Sequence, residues 1–248
     1  MFDAAVTSVL LYSCESWLNN KVKSLERQYN TLAKCLMAVR KNTSIKLCLI
    51  ESGILPILEL VRKRRKNFLT CKLENIDMDQ PFHVVYDLCR RENTPGYRFL
   101  SNEISFVPDN DPLDKIKQVI RDTPNSATKM TTYKSDLNPT LTVHKVYTTH
   151  AYIPDYQRES FSRLRLMSHS LRIETGRWSR TPTQDRVCVC YGNHVQTERH
   201  VLVECLLTNH LRDKYSMLRF GSVNDLLSED IHLRELCNFV FDVVNIYK

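Results

Sequence analysis

The chain has 248 residues, 42% hydrophobic and 25% charged with both signs interspersed, the composition of a folded soluble protein, and its length suits one large domain or two ordinary ones. Five glycines against nine prolines leave little material for glycine-rich phosphate loops or for many tight hairpins, so helices are expected. The net charge of +7 is a moderate excess, compatible with a polyanionic partner, and no apolar run approaches the length of a membrane span.

Phe2 to Trp17 is apolar enough for a buried helix. It has neither the basic start nor the small-residue cleavage site of a secretory leader, so a reducing intracellular setting is expected. Val22, Leu25, Tyr29, Leu32, Leu36 and Val39 recur at steps of three and four, predicting a helix from about Lys21 to Arg40. Thr43 can cap a short helix that stops at Gly53, a plausible left-handed position. Pro56 suits the first turn of a longer helix with Ile57, Leu60, Val61, Phe68 and Leu69 inward, around which the basic cluster Arg62 to Lys66 wraps. A helix through Phe82, Val85, Tyr86 and Cys89 and a turn at Pro95-Gly96 come next, then a helix begun by Asp111 that carries Leu113, Ile116, Val119 and Ile120.

Residues 122–140 are rich in Thr, Ser, Asn and Asp and read as a linker between lobes 1–121 and 141–248. The second lobe offers a helix through Phe161, Leu164, Met167 and Leu171, a looped segment Thr175 to Arg186, and helices near Asn209 to Phe220 and His232 to Tyr247. From Arg158 to Arg186 seven arginines face three acids. The expected fold is therefore mainly α, with an N-terminal helical lobe and a smaller C-terminal helical lobe.

Nine cysteines are present, and five of them (Cys14, Cys35, Cys48, Cys71, Cys89) stand singly in apolar stretches as buried thiols. Cys188-x-Cys190, nine residues, His200, four residues and Cys205 form a different pattern: three thiols and an imidazole within eighteen residues. Zinc takes four such donors in a tetrahedron, and four protein ligands close a structural site. One structural zinc ion on Cys188, Cys190, His200 and Cys205 is expected, in a knuckle spanning about 186–206, with His194 as a substitute ligand for His200. On an α-helix residues five apart point about 140° away from each other. His200 and Cys205 can share a metal only if a helix breaks or begins between them. Walker, G-x-G-x-x-G, H-E-x-x-H and G-x-S-x-G motifs are absent, and Glu198 precedes His200 in the wrong order for a zinc deaminase.

The tract Phe2-Asp3-Ala4-Ala5-Val6 through Leu11-Tyr12-Ser13-Cys14-Glu15-Ser16-Trp17, then Glu51-x-Gly53-x-x-Pro56, then Leu164-Arg165, Leu171-Arg172-Ile173-Glu174-Thr175-Gly176-Arg177-Trp178, Arg186-x-Cys188-x-Cys190 and Glu198-x-His200-x4-Cys205, occur in a specific order. This order resembles the C-terminal part of a non-LTR (LINE-type) retrotransposon reverse transcriptase, from its helical thumb to its terminal CCHC zinc motif. Ser13 stands where the first tract usually has glycine, and residues 75 to 140 are unmatched. The resemblance implies a thumb-like N-terminal lobe and handling of RNA or DNA. It implies no polymerase or endonuclease activity, because both catalytic centres lie upstream in that family and this chain has no Asp-Asp pair to hold magnesium. The nucleic-acid contacts expected are Arg163, Arg165, Arg172, Arg177, Trp178, Arg180 and Arg186, with Tyr191 as a further stacking residue. The other expectation is a retroelement relic or protein-interaction module whose zinc serves stability alone.

Overall fold

The computed structural model describes residues 6–12, 14, 23–74, 81–105, 112–124, 128–149, 152–190 and 193–248. Among them the architecture is mainly α-helical. In chain order the helices are α1 (Ser8–Leu10), α2 (Lys23–Leu36), α3 (Ile45–Ser52), α4 (Ile57–Glu74), α5 (Pro81–Arg91), α6 (Pro95–Ser105) and α7 (Asp114–Arg121). They continue with α8 (Thr128–Thr132), α9 (Lys145–Thr148), α10 (Asp155–Arg165), α11 (Arg172–Trp178), α12 (Asn209–Lys214), α13 (Val223–Leu227) and α14 (Leu233–Ile246). The extended pairing among described residues is one antiparallel bridge, Val187 with Val195. No described helix is long and apolar enough to cross a membrane.

The chain divides into two compact units, 1–32 with 55–114 and 33–54 with 115–248. In the first, Ile57, Val61, Arg65 and Leu69 recur every four residues along the buried side of α4. Arginine belongs in that row because its charge is met. Arg65 Nε donates to the Cys14 carbonyl at 3.2 Å, Nη1 lies 3.6 Å from Glu103, and the guanidinium sits 5.1 Å over the Phe99 ring. Phe68, expected inward, is exposed. α5 and α6 form a helical pair, with Tyr86 and Tyr97 edge to face at 5.7 Å. Pro95-Gly96, expected as a turn, opens α6 instead. Thr94 Oγ1 accepts from the Tyr97 amide at 3.2 Å, and a proline costs nothing where the first helical amide has no partner in any case.

In the second unit α10 lies along α14 and buries Phe161 and Leu164 with Leu236, Phe239, Val240 and Val243. Each such side chain, fully removed from water, contributes about 1.5–3 kcal/mol. Gly53 ends α3 in the left-handed conformation (φ 70°), as its position predicts. A Cβ there would lie 2.8 Å from Val143 Cγ2, so space as well as φ demands glycine. The N-cap of α3 is Ser44, one residue past Thr43, and it makes no side-chain capping bond.

Beneath these helices is a buried polar cluster. The Glu51 carboxylate is bound by the Arg165 guanidinium, by Tyr133 Oη at 2.7 Å and by Asn138 Nδ2 at 3.1 Å. Arg165 Nη1 donates to the Leu227 carbonyl at 2.9 Å. The cluster explains two departures from expectation. Residues 33–54 belong with the C-terminal part of the chain because Glu51 pairs with Arg165, Arg40 Nη2 donates to the His169 carbonyl and Arg163 Nε to that of Ala38. The unit containing the C-terminal residues is thus the larger one. Residues 122–140, expected to link two lobes, carry α8 and a π-helical turn, Tyr133–Leu137, that plants Tyr133 and Leu137 in the core. Of their polar residues, Tyr133 and Asn138 join this network.

Candidate metal centre

Cys188, Cys190, His200 and Cys205 are brought together with their ligand atoms all within 4.8 Å of one another. Cys188 Sγ lies 3.8 Å from Cys205 Sγ, and Cys190 Sγ 3.2 Å from His200 Nε2. A tetrahedral site with metal–sulfur bonds of about 2.3 Å has sulfur–sulfur edges of about 3.8 Å. The four residues are buried, none more than 8% exposed. Three thiols and one imidazole, converging and enclosed, can hold one metal ion with no position left for substrate or water.

Two short devices set this geometry. The Val187–Val195 bridge, with Cys188 N donating to the His194 carbonyl at 2.7 Å and Gln196 N to that of Arg186 at 2.8 Å, clamps the loop that carries Cys188 and Cys190. The second device answers the five-residue spacing of His200 and Cys205. His200–Glu204 is a π-helical turn, closed by Cys205 N donating to the His200 carbonyl at 2.7 Å. An i→i+5 bond returns the chain to the same side after five residues, and the helix stops there, with Cys205 extended as its C-cap. Thr197 Oγ1 accepts from His200 N at 3.1 Å and fixes where the turn begins.

Outer contacts complete the centre. Tyr247 Oη donates to Cys205 Sγ at 3.0 Å, and Tyr247 and Leu207 pack against the three cysteines. Burial pushes the Cys188 thiol up to about 11, so a metal must displace protons to bind. Burial and the neighbouring His194 push the His200 imidazole below its ordinary value, which keeps it neutral with a lone pair to give. His194 itself stacks on His200 at 5.1 Å between ring centroids and stands outside the donor group.

The expected nucleic-acid residues fall into two groups. Arg165 is corrected outright: it is wholly buried on Glu51 and cannot reach a solvent-borne partner. Arg186 donates to the carbonyls of Ile173 and Thr181 at 2.7–2.9 Å, and Arg177 pairs with Glu174 at 3.0 Å, so both are occupied internally. Arg163, Arg172, Arg180 and Trp178 are exposed, although Arg163 Nε and Arg172 Nη1 also donate to the carbonyls of Ala38 and Val187 at 2.8 and 2.9 Å, and the Arg40 guanidinium stacks 3.8 Å over the Trp178 ring. Tyr191 lies outside the described residues. The segment Thr175 to Arg186, expected as a loop, is helical up to Trp178.

The arginine-rich motif proves to be scaffold for the metal loop. Gly176 admits the Arg186 side chain, which a Cβ would meet at 2.7 Å. Gln196 Oε1 accepts from Arg172 N at 2.6 Å, supplying the first turn of α11 with an acceptor, and His169 Nε2 bonds Glu198 Oε1 at 2.8 Å. Burial alone would raise the Glu198 carboxyl, but that bond and the His169 charge hold it below its ordinary value. Glu198-x-His200 could have signalled this arrangement from sequence. Tyr247, forty-two residues beyond Cys205, gave no signal. Comparison with family models, with curated proteins and with solved structures gave no match.

Proposed function

We propose that the chain is a non-catalytic nucleic-acid-binding part of a LINE-type reverse transcriptase, with Cys188, Cys190, His200 and Cys205 holding one structural zinc ion. The closed, buried donor set carries this reading. Three thiolates and an imidazole suit zinc, and a full shell of protein ligands suits a cross-link rather than a reaction centre. Bound there, zinc would supply fixed coordination, joining the clamped loop to the π turn. RNA or DNA would meet the exposed Arg163, Arg172, Arg180 and Trp178, beside the lobe that the metal stabilises. Native mass spectrometry should find one zinc per chain, lost on Cys188→Ser. Binding to an RNA oligonucleotide should weaken steeply with salt and fall on Arg172→Gln with Arg180→Gln. A folded chain that takes up no metal, or that binds no nucleic acid at low salt, removes the corresponding half of the proposal.

A second reading rests on the internal engagement of Arg165, Arg177 and Arg186. If charge in this region serves the fold alone, the chain is a relic or protein-interaction module, and RNA binding will be weak and indifferent to the exposed arginines.

A further inference from the structure

A cleft of about 560 Å³ opens in the second unit between residues 38–40, α10, residues 168–170 and the end of α14. That volume lies within the usual range of small-ligand sites, about 300–1,000 Å³. Its lining includes Arg40, Arg163 and Lys248, whereas Glu198 and Glu174, the buried acids of this region, are taken up by His169 and by Lys129 and Arg177. Burial pulls the Arg40 guanidinium below its ordinary value, and the like charge of Arg163 adds to this while Glu174 opposes it. Arg163 is shared with Glu159 at 3.2 Å, an exposed pair that water and salt screen. Ser170, also lining the cleft, has a buried Oγ with no hydrogen-bond partner. The cleft therefore offers cations and a spare hydroxyl donor to an anion.

Aromatic groups adjoin these cations. Arg40 stacks on Trp178, which is half exposed. Lys248 Nζ lies 5.8 Å over the Phe241 ring, and Phe241 meets Tyr156, also half exposed, edge to face at 4.8 Å. Stacking platforms beside a cationic groove are what an unpaired strand needs, because every base has a face to stack and every linkage a phosphate. A duplex keeps its base faces covered.

We infer that this cleft seats a backbone phosphate of a single-stranded nucleic acid, with neighbouring bases stacked on Trp178 and on Tyr156. The inference rests on the nucleic-acid reading above and assigns it a site. Arg40, Lys248, Ser170 and Tyr156 join the contact set, and Arg165 and Arg186 leave it.

The test is fluorescence anisotropy on the full metal-loaded chain, with labelled oligouridylate, oligodeoxythymidylate and a duplex of mixed sequence. Trp178→Ala and Tyr156→Ala should each weaken single-strand binding about fivefold to a hundredfold and leave the salt slope in place. Arg163→Gln with Lys248→Gln should lower the slope by about 0.7 for each phosphate no longer neutralised. All four positions are exposed, and unchanged circular dichroism and metal content should accompany these effects. Cleft variants that bind like wild type, while Arg172→Gln with Arg180→Gln loses binding, overturn the site and leave the broader reading standing. A duplex bound as tightly as the single strands overturns the single-strand assignment. No binding by the wild-type chain at low salt removes both.

Discussion

Replacing Tyr247 by phenylalanine takes one oxygen from the outer shell of the metal centre and keeps the ring that packs on the three cysteines. The hydrogen bond removed is that from Tyr247 Oη to Cys205 Sγ at 3.0 Å. Burial holds the phenol well above its ordinary pKa, so it remains a donor, and a thiolate on a metal is a charged acceptor. Hydrogen bonds to charged groups contribute about 1.5–3 kcal/mol, and each 1.4 kcal/mol is about a factor of ten. Zinc affinity should therefore fall about 10- to 100-fold, the range typical of removing an outer-shell partner from a metal ligand. A chromophoric chelator in competition with the protein measures the change directly. Leu207→Ala is the comparison, since it thins the same apolar wall and leaves the hydroxyl in place. An affinity for Tyr247→Phe within a factor of about three of wild type would refute the reasoning, because it leaves no room for a charge-assisted bond.

Arg165→Met leaves the buried Glu51 with only Tyr133 and Asn138 as donors, and should cost about 3–5 kcal/mol in urea unfolding; Glu51→Gln in the same chain should recover much of it. Burial, with the charge of Arg165, pushes the His144 imidazole from 6.5 down to about 3, so between those values the unfolded chain binds a proton that the folded chain refuses. Stability present above pH 6.5 should then be lost at about 1.4 kcal/mol per unit as pH falls. His144→Asn, which keeps an acceptor for the Val146 amide at the start of α9, should flatten that slope when denaturation midpoints are compared across pH. Gly176→Ala forces a Cβ against Arg186, whose guanidinium is tied to two carbonyls, and should cost about 1–3 kcal/mol, with Arg186→Ala as partial rescue in thermal melts.

What the sequence disclosed was local. Gly53 announced a left-handed helix end, Pro56 a helix start and four donors within eighteen residues a cluster able to hold a metal ion. What it concealed depended on partners far along the chain. Arg65 and Arg165 look like members of solvated basic runs until Cys14 and Glu103, or Glu51, are placed beside them. The burial pattern of α2 shows the same limit. The apolar periodicity pointed to Leu32 and Leu36, but both are exposed, and the smaller Ala33 lies buried in line with Tyr29 and Met37. Likewise, the polar composition of 122–140 matches a linker because the Tyr133 and Asn138 acceptor, Glu51, lies more than eighty residues away. Residues 2–5, Ser13 and residues 15–17 of the thumb-like tract, together with Lys21, Val22 and Asp111, lie outside the described residues.

The π turn at His200–Glu204 gives the metal centre a lopsided tolerance to changes in chain length. It is an α-helical turn with one residue too many, and that surplus winding is what aligns two donors five positions apart. Removing one residue between His200 and Cys205 lets the turn relax to an ordinary α-helix, where residues four apart stand only about 40° from each other. The imidazole and the thiol then still share a face. Adding one residue instead sets them six apart, about 120° off on the same helix, with no regular turn to bring them back. An insertion here should therefore cost the ion while a deletion is borne, although either change leaves every donor in the sequence.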